Sequence, residues 1–210
     1  MPDATRSSLI IYGAGGHATV IADAAIAAGR KVEFFIDDAP RVRTLLGLPV
    51  HPSSTLNLNE LSDRDFIVGI GNNSARQRVL QELKDAGLSI TTVVHPSTYI
   101  SQYAVIGEGV FLAGGVVVNP NARIHDNCII NTSASVDHDC VVGPHAHLCP
   151  GVHLAGNVTV GAGTVIGTGA SAIPGVRIGQ YCTVGAGSVV VRDIPDNVIA
   201  DGVPAKVRAS

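Results

Sequence analysis

Histidine is the side chain best suited to moving a proton near neutral pH. Of the eight in this 210-residue chain, five (His125, His138, His145, His147 and His153) lie in its second half. Four of them fall within sixteen residues, from His138 to His153. His138 stands apart because it lies between Asp137 and Asp139, where a carboxylate can orient the ring and favour its basic form. A lone turn histidine is more often simply solvated, so the flanking acids carry the distinction. The rival chemistry is zinc held by histidines of neighbouring chains, as a hydratase would hold it. No supporting pattern surrounds these histidines and there is no Cys-x-x-Cys pair, so no metal is expected.

A second constellation opens the chain. The apolar run ending at Tyr12 leads into Gly13-Ala14-Gly15-Gly16-His17-Ala18, a match to G-x-G-x-x-G/A with Ala18 in the third position, and Asp37 follows at about the ribose-contacting distance. In that motif glycines let backbone approach a pyrophosphate while a helix N-terminus presents N–H groups to it. Gly69-Ile70-Gly71-Asn72-Asn73 is a further turn of similar make-up. A full dinucleotide domain needs six strands in two halves, more than about a hundred residues supply. Half a Rossmann unit holding one nucleoside diphosphate is therefore expected rather than a nicotinamide enzyme.

These residues need positioning, and the sequence predicts two kinds of scaffold. Strands over 8–12, 32–36 and 64–70 alternate with apolar-periodic helices over 20–28 and 75–86, each followed by a glycine, Gly29 or Gly87. That order predicts a small parallel α/β domain over residues 1–95. His95-Pro96 ends it, because the residue before proline is pushed toward extended structure.

Residues 96–210 follow a different rule. From Tyr99 to Ile194 an apolar anchor recurs every sixth residue, from Ile100, Ile106 and Leu112 through to Val184 and Val190, and only Ala172 among them is small. A second modest side chain stands two residues before nearly every anchor, for example Ala122, Cys128 and Ala134. Gly, Asn and Asp crowd the positions between. A period of six with one large and one small inward position predicts a triangular parallel β-helix, about 25 Å long at the usual strand spacing. Residues 195–210 break the period and should cap or extend its end.

Composition narrows the partners. A formal charge of −3 without a basic stripe argues against nucleic acid, and the polar start followed by a short apolar run suggests neither signal peptide nor membrane span, so the protein is expected in the cytoplasm. Cys128, Cys140 and Cys182 fall on the small inward position and should be reduced, packed thiols, which leaves Cys149, in a turn, as the one to test for reactivity.

Four ordered stretches, Ile11-Tyr12-Gly13-Ala14-Gly15-Gly16-His17, Gly69-Ile70-Gly71-Asn72-Asn73, Asp137-His138-Asp139-Cys140 and Gly202-Val203-Pro204-Ala205-Lys206, resemble the nucleotide-sugar acetyltransferases of the left-handed β-helix class. That group includes bacterial UDP-4-amino-sugar and GDP-perosamine N-acetyltransferases and sialic acid O-acetyltransferase relatives. The resemblance implies a left-handed coil and an acetyl-CoA-dependent enzyme of bacterial surface glycan synthesis. It puts the nucleotide sugar on the first domain, with Gly13, Gly15, Gly16 and His17 near the diphosphate and Asp37 near the nucleoside. Gly71, Asn72, Asn73 and Arg76 would line the opposite side. The family's base falls on His138 and its neighbouring acid, Glu in UDP-sugar members, on Asp139. A second histidine near the acyl group falls on His147. Cofactor contacts are expected at Gly156, Thr168 and Ala186, with Lys206 and Arg208 reaching coenzyme A phosphates. One prism offers only convex faces, so a homotrimer with sites between subunits is expected. Sugar O-acetylation and non-catalytic nucleotide-sugar binding are the alternatives.

Overall fold

The structure is a computed structural model that describes residues 8–208. The chain divides into two compact units, 1–96 and 97–210.

The first unit is a parallel sheet with a helix on each face. Strands β1 (Leu9–Tyr12), β2 (Val32–Asp37), β3 (Thr44–Leu45), β4 (Leu48–Pro52), β5 (Asp65–Val68) and β6 (Ser89–Ile90) lie in the order β3-β4-β2-β1-β5-β6. All neighbours are parallel except the β3–β4 hairpin. That hairpin carries no strand signal in the sequence, because prolines 49 and 52 interrupt any alternation; its turn is made by Leu46 and Gly47, both at positive φ (51° and 77°).

Alternation in β1 sends its side chains to two cores. Ile10 and Tyr12 pack with Val79, Leu80 and Leu83 of helix α2 (Asn73–Asp85), and Ile11 faces Ala18 of helix α1 (Gly16–Ala27) across Gly69. Helix α1 starts four residues earlier than its apolar pattern predicts, since it begins inside the glycine turn itself. Helix α2 is capped by Asn72, whose side chain accepts from the Ala75 N–H at 2.9 Å, and buries Arg76, Val79, Leu80 and Leu83, one stripe at helical spacing.

The second unit is the parallel β-helix predicted from the hexads, left-handed as the family resemblance implies. Sixteen two-residue strands run from Tyr99–Ile100 to Val189–Val190. Up to Ser171–Ala172 each pairs in parallel with the strand eighteen residues on, as in Ile129↔His147 and His147↔Val165. Three hexads therefore make one coil, and the strands stack as three faces. Face 1 holds Tyr99, Val117, Ser135, His153, Ser171 and Val189; face 2 holds Val105, Arg123, Val141, Thr159 and Arg177; face 3 holds Phe111, Ile129, His147, Val165 and Thr183. Anchors from Leu112 to Val190 are all buried, as are Cys128, Cys140 and Cys182.

One residue per hexad turns the corner at positive φ, and from Gly109 to Gly187 this happens every six residues without interruption. Glycine fills many of these sites, but Asn121, Asn127, Asp139, His145 and Asn157 fill others. Asn and Asp tolerate this conformation through short polar side chains. Beyond the last hexad, Ile199–Asp201 continues face 3 beside Thr183 and turns back as an antiparallel hairpin with Lys206–Val207.

Candidate active site

The glycine turn and the Asn-Asn turn come together because their strands do. β1 and β5 are neighbours, the chain leaves β1 toward β2 on one side and reaches β5 on the other, and ligands of such sheets bind at the carboxyl ends of strands where the order reverses. Within that crevice the residues divide into scaffold and surface. Gly13 is scaffold: its φ is +120°, and a Cβ there would stand 2.8 Å from the Gly69 carbonyl oxygen. Gly15, Gly16 and Gly71 have nothing within 4 Å of where a Cβ would lie, so their backbone is open to a ligand. Gly15 caps helix α1 with no side-chain acceptor, and the helix starts at Gly16. An uncapped helix N-terminus of this kind suits an anion.

Asp37 binds the turn itself. Its two oxygens accept the N–H groups of Ala14 and Ala39, each at 2.9 Å, tying the end of β2 to the glycine turn. Arg76, expected to line the site, is 1% exposed and donates to the carbonyls of Ile70 and Gly71 at 3.1 Å and to Asn73 Oδ1 at 2.9 Å. It holds the 70–73 loop from beneath. His17 is half-buried, and desolvation, with the nearby Arg76 charge adding, lowers its pKa to about 4, so the ring is neutral at pH 7.

On the β-helix, His138 stands at the corner between faces 1 and 2. Its Nδ1 lies 2.8 Å from Asp139 Oδ2, and its backbone N–H donates to Asp137 Oδ1 at 2.8 Å. The imidazole is 54% exposed, so Nε2 is free to meet a substrate. The hydrogen bond to Asp139 raises the His138 pKa above the ordinary histidine value, with smaller contributions from both aspartate charges against a partial desolvation. Asp139 is held below the usual carboxylate range, first by His138 and then by Asn121. The ring rests on Gly156, one coil further on, where a Cβ would come within 2.5 Å of His138 Cε1 and Nε2. Gly156 is thus the seat of the His138 ring, a role the motif alone does not reveal; the eighteen-residue repeat could have shown it.

The other expected residues lie elsewhere on this chain. His147 projects from face 3, 3.3 Å from Asn131 Nδ2. Thr168 and Ala186 are exposed, stacked one coil apart at the corner between faces 3 and 1. Among the described residues, no acceptor takes the backbone N–H of either. Face 1 separates this corner from His138. Lys206 is exposed in the terminal hairpin opposite Asp201, while Arg208 is ion-paired with Asp201. Burial pushes the Cys149 thiol up, opposite to what a reactive cysteine needs. Among the described residues, no three His, Cys, Asp or Glu side chains gather as metal ligands would, and no helix is long and apolar enough to cross a membrane.

Residues 8–83 match the PglD N-terminal domain family. A UDP-N-acetylbacillosamine N-acetyltransferase of Bacillus subtilis is 38% identical over 111 residues, 50% of this chain and 50% of that protein, so the match spans about half the length of this curated relative. PerB of Caulobacter crescentus, solved with CoA and GDP-perosamine, is 43% identical and covers 96% of this chain and 97% of its own, with a TM-score of 0.91. The acetyltransferase domain of PglB from Neisseria gonorrhoeae, solved with acetyl coenzyme A, is 38% identical over 96% of this chain and 99% of its own, with a TM-score of 0.92. With both units matched in one order over nearly its whole length, the chain belongs to the family of bacterial nucleotide-amino-sugar N-acetyltransferases.

Proposed function

We propose that the protein transfers an acetyl group from acetyl-CoA to the amino group of a nucleotide-linked amino-deoxy sugar, in the cytoplasm and for a surface glycan. The observation that carries this reading is the His138 imidazole, pinned at Nδ1 by Asp139 with Nε2 open. The amine nitrogen attacks the thioester carbonyl carbon, and Nε2 takes the proton that the amine loses as the N–C bond forms. The tetrahedral oxyanion then collapses, the C–S bond breaks, and the proton on Nε2 passes to the departing CoA sulfur. Atoms and charges balance without a covalent enzyme intermediate. Backbone N–H groups at glycine-rich corners are suited to the oxyanion, and fixing both substrates supplies much of the rate.

The nucleotide diphosphate is assigned to the open backbone at Gly15, Gly16 and Gly71 and the uncapped start of α1. Gly13, Asp37, Asn72, Asn73 and Arg76 shape that crevice, with His17 neutral beside it. The unpartnered N–H groups of Thr168 and Ala186 fit the amides of a CoA arm, with Lys206 toward its phosphates. Because face 1 separates these groups from His138 on one chain, a site using both needs His138 from one subunit and the Thr168–Ala186 corner from another, in a homotrimer. His138→Ala should lower turnover at least about a hundredfold with assembly intact, assayed by CoA release against UDP-, GDP- and dTDP-amino sugars. Normal turnover would remove His138 as the base; acetylation of hydroxyl sugars alone would move the reading to O-transfer.

A further inference from the structure

The base is held by two carboxylates, and those carboxylates are held by the coil before them. Three coils stack at this corner: Asn119-Pro120-Asn121, then Asp137-His138-Asp139, then Ala155-Gly156-Asn157. Asn119 Nδ2 donates to Asp137 Oδ1 at 3.0 Å, the same oxygen that accepts the His138 backbone N–H. Asn121 Nδ2 donates to Asp139 Oδ1 at 3.0 Å, leaving Oδ2 for His138 Nδ1. The backbone repeats the pattern, since Asp139 N–H donates to the Pro120 carbonyl at 3.1 Å and Asn157 N–H to the His138 carbonyl at 2.9 Å.

The need for Asn121 follows from the exposure of the pair. Asp139 is 44% exposed and sits at φ 61° on a turn, in a shallow cleft it shares with Tyr103, Asn121 and Arg123, so packing alone does not fix its rotamer. An exposed carboxylate next to a histidine gains little from the pairing and loses side-chain freedom by it. A donor on one oxygen removes that freedom and aims the other oxygen at the ring. Asn suits this task, because it tolerates the left-handed backbone that residue 121 adopts, φ 63°, and carries an amide N–H at the right reach.

We propose that Asn121 is a positioning residue for the acetyl-transfer base: its carboxamide locks the Asp139 carboxylate against His138 Nδ1, so that Nε2 is the nitrogen left unprotonated and aimed outward. The inference rests on the reading of His138 as base, but its test does not. Asn121→Gly keeps the positive-φ backbone and removes the donor. Its His138 ring, followed by NMR in the intact protein, should titrate lower than wild type, toward an ordinary histidine, and show less of the Nδ1–H tautomer. Turnover should fall about tenfold, with the acid limb of the pH profile moved to lower pH and KM for both substrates unchanged. Asn121→Asp, which also accepts this backbone, puts a second carboxylate against Asp139 and should likewise lower turnover, with the His138 titration moved the opposite way. A wild-type titration, tautomer and turnover in either folded variant would overturn the proposal. A shifted titration with activity that His138→Ala leaves intact would retain Asn121 as the ring's positioner and reject His138 as the base.

Discussion

At the residue scale, little separates a solvated histidine from a positioned one. His138 and His153 each have a neighbour at hydrogen-bond distance, but the partner of His153 is a hydroxyl. Only a carboxylate raises imidazole basicity by charge as well as by hydrogen bonding. Replacing Asp139 with Asn removes that charge while keeping a residue suited to φ 61°. The acid limb of kcat/KM, which in wild type should lie above the ordinary histidine range, is expected to move to lower pH, with lower turnover, in a pH–rate profile. Gly156→Ala is a second test, since its methyl group would overlap the imidazole. It should depress turnover about a hundredfold or more while circular dichroism and melting temperature stay near wild type, because the displaced ring can swing into solvent. The Asp-His-Asp triplet is readable in sequence, but the seat beneath it is found only by folding the repeat by eighteen.

At the element scale, each unit shows how a local rule fixes where a side chain points. The hexad corner demands positive φ, so Asn157→Val should destabilise the β-helix by about 1–2 kcal/mol while Asn157→Gly is nearly neutral, read from denaturant midpoints. In the α/β unit the burial of His17 sets a pH dependence. Its folded pKa of about 4 lies below the ordinary 6.5, so between those values the unfolded chain binds more protons. The His17 contribution to stability should therefore fall as pH drops from about 6.5 toward about 4, and His17→Gln should flatten that part of the slope in melting curves across the range. Strands β1, β2 and β5 and both helices were legible from apolar pattern and glycine stops. The β3–β4 hairpin was not, because its pairing with β2 overrides two prolines that argue against a strand.

At the scale of the whole molecule, His138 and the Thr168–Ala186 corner lie on different edges of one prism. If His138 and the Thr168–Ala186 corner act across a subunit boundary, two crippled chains should complement each other. His138→Ala and Ala186→Trp should each be inactive alone, and co-expression with random assembly should recover about a quarter of wild-type activity overall, because about one site in three of each mixed trimer draws an intact half from each chain. No recovery, with mixed assembly verified by mass, would mean that one chain supplies both halves. The sequence by itself determined the two scaffolds, because a six-residue period and a strand–glycine–helix order are rules of local backbone geometry and burial. It also marked His138, since flanking acids are adjacent in the chain. Only the tertiary structure decided which glycines are open and which are packing, that Asp37 and Arg76 brace the turns around them, and that Asp139, held by Asn121, and Gly156 meet on one ring. Those relations join residues a coil or a strand apart, and they exist only once parallel pairing brings distant positions into register.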